Sequence, residues 1–218
     1  TNAPAVHSGA YGTYNNKWFF IGGRKNGLHG FNSPFAFPNS GINDVAYVVD
    51  PVANQIWSAS LAALPDYIRE PVTSSNMQFY LNDSTLYMVG GYGWKDSLQD
   101  FVTWQTLTAV NIKGLMNAVV NSQPVDSTYF RQVTDSVFAI CGAHLQKLDS
   151  TYYLVFGHRF DGIYNRSDTS GFFVQTYSNE IRKFQIADDG IHLSINNYTA
   201  IRDTDNFHRR DYNLLPLF

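Results

Sequence analysis

A chain of 218 residues, 44% apolar and only 15% charged, is long enough to bury a sizeable core and too apolar to be a disordered or charged solenoidal protein. Its net charge of -3, without any run of Lys or Arg, argues against nucleic acid or an anionic membrane surface as partner, and no stretch approaches the roughly 18 apolar residues of a membrane span. Aromatic residues at 16%, with 16 Gly and 8 Pro, suit an all-β chain with frequent turns.

In chain order, residues 7–14 read as a strand, and Asn15-Asn16-Lys17 turns it into the apolar run Trp18-Phe19-Phe20-Ile21, which Gly22-Gly23 stops abruptly. A third strand is predicted at 45–50 and a fourth at 55–60. The same plan recurs. Gly90-Gly91 lies 68 residues after Gly22-Gly23, and Phe156-Gly157 a further 66 on. Strands at 75–81 and 141–148 precede these turns, third strands follow at 106–112 and 180–186, and fourth strands at 115–120 and 192–198. Four antiparallel strands at a fixed period describe the blades of a β-propeller. The units expected are about 5–61, 74–120 and 137–198, with the first strand of a fourth at about 206–218. A chain that stops in mid-blade is expected to be a fragment of a larger ring.

This order of motifs resembles the Kelch type of β-propeller: His7-Ser8-Gly9-Ala10, the apolar strand into Gly22-Gly23, DVAYVVDP at 44–51, and Trp57 in the fourth strand. More narrowly, GLHGFNSPFAFP at 27–38, YFRQ at 129–132, EIRKFQI at 180–186 and NFHRRDYN at 206–213 are similar to stretches in secreted proteins of Bacteroidetes-type bacteria. The resemblance implies an incomplete propeller, about three Kelch-like blades and the start of a fourth, that is secreted or held at a bacterial surface.

Strand alternation would gather the long loops 24–43, 92–101 and 158–178 on one face with the linkers 62–74, 121–136 and 199–206, the usual binding face of a repeat protein. That face would carry Arg24, His29 and Phe31 from the first unit, Tyr92 and Trp94 from the second, and His158, Arg159 and Asp161 from the third. Phe35, Phe37, Tyr164 and Arg166 would join them, and the polar run His208-Arg209-Arg210-Asp211 would lead into the fourth, either as a channel-lining site or as a salt-bridge knot between units. Aromatic faces beside Arg and Asp suit a sugar or peptide. Each aromatic alone is better accounted for by packing within its own loop, and Arg24 and Arg159 by structural hydrogen bonds; only accumulation on one face favours binding. Arg24 and Arg159, both close behind a glycine turn, could clamp a carboxylate together.

The six histidines show no metal-ligand spacing, and GxSxG is absent. Cys141 reads as a buried thiol without a partner for a disulfide. No metal or cofactor is expected. The reading is a module that binds a glycan, peptide or cell-surface protein through its loop face. The alternative is a carbohydrate-active enzyme, an acidic-sugar isomerase or alcohol oxidase type, with Glu70, Asp96 and Asp161 supplying acid and base near the two arginines.

Overall fold

The computed structural model describes residues 4–27, 30, 36–165 and 172–215. Its framework is all-β. The first antiparallel sheet is β1 (Ala10–Tyr14), β2 (Lys17–Ile21), β3 (Val45–Asp50) and β4 (Gln55–Ser60), in that spatial order. Helix α1 (Asp66–Val72) leads to β5 (Gln78–Asn82), β6 (Thr85–Val89), the hairpin β7 (Tyr92–Lys95) and β8 (Asp100–Thr103), β9 (Thr106–Asn111), helix α2 (Ile112–Val120) and β10 (Phe130–Thr134). The second sheet is built from β5, β6, β9 and β10. There follow β11 (His144–Leu148), β12 (Thr151–Val155), a second hairpin of β13 (His158–Gly162) and β14 (Phe173–Tyr177), then β15 (Glu180–Asp188) and β16 (Leu193–Arg202). The third sheet takes β11, β12, β15 and β16.

Three expectations are corrected. Residues 115–120 are not a strand but the body of α2, and β10 supplies the fourth strand, so the second unit extends past residue 120 to Thr134. The apolar run is short enough to be read either way, yet Ile112, Leu115, Met116 and Val119 recur at helical spacing and are all buried. Asn111 starts the helix by accepting from the Gly114 amide at 3.0 Å. The stretches 92–101 and 158–178, expected as loops, carry the two hairpins, and the 62–74 linker contains α1. Finally, no strand forms among the described residues 206–215.

The three sheets are joined by one repeated set of backbone hydrogen bonds. The second turn residue of each unit donates into the following segment: Gly23 to the Ser74 carbonyl at 2.8 Å, Gly91 to Ile140 at 2.8 Å, and Gly157 to Arg209 at 2.9 Å. Two residues beyond each acceptor, a second chain of bonds runs back the other way. Asn76 donates to Ser8 at 2.8 Å, Gly142 to Asn76 at 3.1 Å, and Asp211 to Gly142 at 2.9 Å. Ser8, Asn76, Gly142 and Asp211 all hold left-handed backbone, with φ of 56°, 54°, 62° and 51°. Asp211 thus continues the series without a strand around it.

Between the first two sheets, α2 lays Leu115, Met116 and Val119 against Phe19, Val48 and Met88. Between the second and third, Val89, Leu107, Phe138, Leu154 and Phe184 form a separate core. That second interface also holds an ion pair. Arg131 donates to both Asp188 oxygens, at 2.8 and 2.7 Å, and the Tyr87 hydroxyl adds a bond at 3.1 Å. Both charged side chains are largely buried, at 12% and 7% exposure. Burial works against the Asp188 charge, but Arg131 and the Gly190 amide outweigh it and hold the carboxyl below its usual range.

Two outcomes are expected. A β-carbon on Gly90, whose φ is 62°, would sit 2.1 Å from the Ile140 carbonyl that receives the Gly91 bond. Gly90→Ala should therefore cost about 2 kcal/mol or more in urea unfolding, whereas Gly27→Ala, also left-handed but facing open space, should cost less. Asp188→Asn should cost about 3 kcal/mol at pH 7 by leaving Arg131 unpaired. Because the folded carboxyl lies below its unfolded value of about 3.9, its contribution is present above that pH and fades as pH falls through the folded value. The gap between wild type and Asp188→Asn should narrow in acid, which paired denaturation curves at pH 7 and pH 3 measure.

Candidate functional site

The glycine turns deliver Arg24, Tyr92 and His158 to equivalent places. Each directly follows the second turn residue, and each pairs by two backbone hydrogen bonds with the residue that opens its unit: His7 with Arg24, Ser75 with Tyr92, Cys141 with His158. These positions, with Arg210 and Asp211, surround a cavity of about 210 Å³. Phe37, Phe160 and Tyr164 provide its aromatic wall.

Arg24 is its most unusual group. The side chain is 3% exposed, with Nε donating to Asn26 Oδ1 at 3.1 Å and Nη2 to the Pro38 carbonyl at 2.6 Å. Its guanidinium carbon lies 5.1 Å from the centre of the Phe37 ring. Among the described residues no carboxylate pairs with it. Burial pulls its pKa down, against a smaller opposing influence of Tyr92.

Tyr92 donates its hydroxyl to the Gly162 carbonyl at 2.6 Å, and burial pushes its pKa up. His158 accepts at Nδ1 from the Gln175 amide at 2.8 Å, which places its proton on Nε2. Burial, helped by Arg210, depresses the imidazole to about 4, so it is neutral at pH 7. Cys141 is buried beneath the same bridge and its thiol is pushed up to about 12 by desolvation, which makes it inert.

Arg159 does not join Arg24. It is the residue after His158 on β13, and strand alternation sends it to the opposite side. There its Nε pairs with Asp161 at 2.5 Å, while Asp161 also accepts from the Thr103 amide at 2.8 Å. Both line a larger open groove of about 830 Å³, bounded by α1, the β7–β8 hairpin and β13. Glu70 lines this groove too, and accepts from the Asp96 amide at 3.1 Å. A carboxylate clamp formed by Arg24 and Arg159 is therefore not what this arrangement offers; Arg210 is the second guanidinium at the cavity.

Trp94 packs edge-on to Phe101 and donates to Asp96 at 2.7 Å. His208 stacks on Tyr177, with ring centres 3.6 Å apart. Arg209 is exposed and contributes its carbonyl to Gly157. His29, Phe31, Phe35 and Arg166 lie outside the described residues. His7 and Ser75, legible in the sequence only as strand starts at the common period, also line the cavity, as does Arg210 of the polar run 208–211. Phe160 had no such signal.

No protein-family model matches the chain, and no curated protein matches it. Among solved structures it is similar to that of YjhT, with a TM-score of 0.49 and 11% identity, over 92% of this chain and 53% of that one. The chain thus spans about half the length of that protein.

The depressed His158 has a measurable consequence. A histidine kept neutral in the fold stabilises it fully above its unfolded pKa of about 6.5, and that contribution is lost as pH falls towards the folded value of about 4. Stability should decline between pH 6.5 and 4, and His158→Gln should flatten that decline; ring-proton chemical shifts would show whether His158 titrates near 4.

Proposed function

We propose that the three sheets are blades of a Kelch-like β-propeller, secreted or held at a bacterial surface, and that the protein binds an acidic glycan through the cavity around Arg24. The propeller reading draws on the four-stranded antiparallel units and the period shared by their turns and joining hydrogen bonds. The secreted location draws on the sequence resemblance alone.

The observation that carries the binding reading is the buried Arg24 guanidinium, which has no carboxylate partner among the described residues and borders a small aromatic-walled cavity. A desolvated cation held by neutral acceptors is a receptor for an anion: a ligand carboxylate would supply the missing countercharge, with Arg210 at the rim and sugar carbons against Phe37 and Phe160. The side chains of Arg24, Tyr92 and His158 are already held by hydrogen bonds, so little ordering is needed on binding. Binding is favoured over catalysis because Glu70 and Asp161, which acid–base chemistry beside Arg24 would need, line the groove instead.

A thermal-shift series tests this. Glucuronate and galacturonate should raise the melting temperature by mass action, glucose and galactose should not, and the shift should weaken with added salt and in Arg24→Lys and Arg210→Ala. Equal shifts with acidic and neutral monosaccharides, or none with either, would remove the reading.

A further inference from the structure

The groove on the other side of β13 has a different chemistry from the cavity. Its volume of about 830 Å³ is in the range of ligand clefts, about 300–1,000 Å³. Its lining holds the carboxylates of Asp66, Glu70, Asp100 and Asp161 against the cations of Lys95 and Arg159, and two of the carboxylates are already paired: Asp66 with Arg69 at 2.6 Å on α1, and Asp161 with Arg159 at 2.5 Å on β13. Lys95, 5.7 Å from the centre of the Trp104 ring, is the cross-strand neighbour of Asp100 on the β7–β8 hairpin. A strongly anionic ligand therefore gains nothing there, and two of the four carboxylates a cationic one would seek are engaged by arginine.

The rest of the lining is hydroxyl, amide and aromatic. Gln132 and Thr134 on β10 and Gln105 ahead of β9 present polar side chains from a strand scaffold. Tyr67 on α1 is 64% exposed at the groove wall, while Trp104 is 8% exposed in its lining and its Nε1, set against Gly93, has no hydrogen-bond partner among the described residues. Paired carboxylates and guanidinium groups offer fixed acceptors and donors to hydroxyls, and an exposed phenol ring offers a face to pyranose C–H groups.

We infer that this groove is a second ligand site, separate from the cavity, and that it takes an uncharged oligosaccharide. Alternation along β13 keeps the two apart: His158 and Phe160 face the cavity, Arg159 and Asp161 the groove. The inference does not depend on what the cavity binds.

Titration calorimetry of the 218-residue chain with cellohexaose, maltohexaose, xylohexaose and laminarihexaose tests it, with hexagalacturonate and hexalysine as charged comparisons. At least one neutral hexasaccharide should bind, weakened about tenfold by Tyr67→Ala and by Gln132→Ala, and unchanged by Arg210→Ala. Circular dichroism of each variant separates lost binding from lost folding, and Tyr67, being exposed, is the safer of the two positions. Absence of binding by all four neutral sugars overturns the inference, as does preference for hexalysine or hexagalacturonate at the groove. Binding that Arg210→Ala abolishes and Tyr67→Ala leaves intact assigns the sugar to the cavity instead.

Discussion

The bond from the second turn residue of each unit to a carbonyl in the following segment is the constraint on which everything else rests. It requires left-handed backbone at the turn and a close approach that leaves no room for a β-carbon: at Gly23 such an atom would lie 2.2 Å from the His7 carbonyl. Once made, it sets the spacing of successive sheets. The third sheet relaxes the rule at Phe156, which takes a φ of 53° where the other units use glycine. There Ser178 donates its hydroxyl to the Phe156 carbonyl at 2.9 Å, as the Asn43 amide does to the Gly22 carbonyl at 3.0 Å in the first unit.

Because the spacing is set by backbone, the side chains next to the turns can vary. The three equivalent positions hold a cation, a phenol and an imidazole, an assortment that a repeat maintained by side-chain packing would not tolerate. Function is free to differ from unit to unit around a common frame. The two hairpins extend this frame: Tyr92, Phe101 and Phe160 form a small core of their own, and Thr103 ties the hairpins by accepting from the Phe160 amide at 2.7 Å and donating to its carbonyl at 2.6 Å. A single strand, β13, then serves as the wall between a small cavity with a buried cation and a wide, polar groove.

Much of the framework was legible because its signals are local. An apolar run closed by glycine needs only neighbouring residues to announce a strand and its turn, and three such runs at a near-constant period announce a repeat. The hairpins were less visible: Gly93, Lys95 and Asp100 look like loop, yet they lie in a strand pair whose Phe101 stacks on Tyr92. Helix α2 was misread since a nine-residue apolar stretch with an internal glycine carries little intrinsic preference, and its choice is made by the face it buries on the first sheet. Pairing Arg24 with Arg159 failed by one residue, which in a strand is the difference between one face and the other.

The amino-acid sequence by itself determined the strands, the turns and their recurrence, since β-branched and aromatic runs and left-handed turn residues are demanded by backbone geometry within a few positions of where they stand. Tertiary structure alone decided which polar groups meet. Arg24 and Arg210 are brought to one cavity across 186 positions of chain, and Arg131 is set against Asp188 across 57, by the stacking of sheets. Charge, desolvation and the shape of a cavity are sums over neighbours brought from far along the chain, and no local pattern records them.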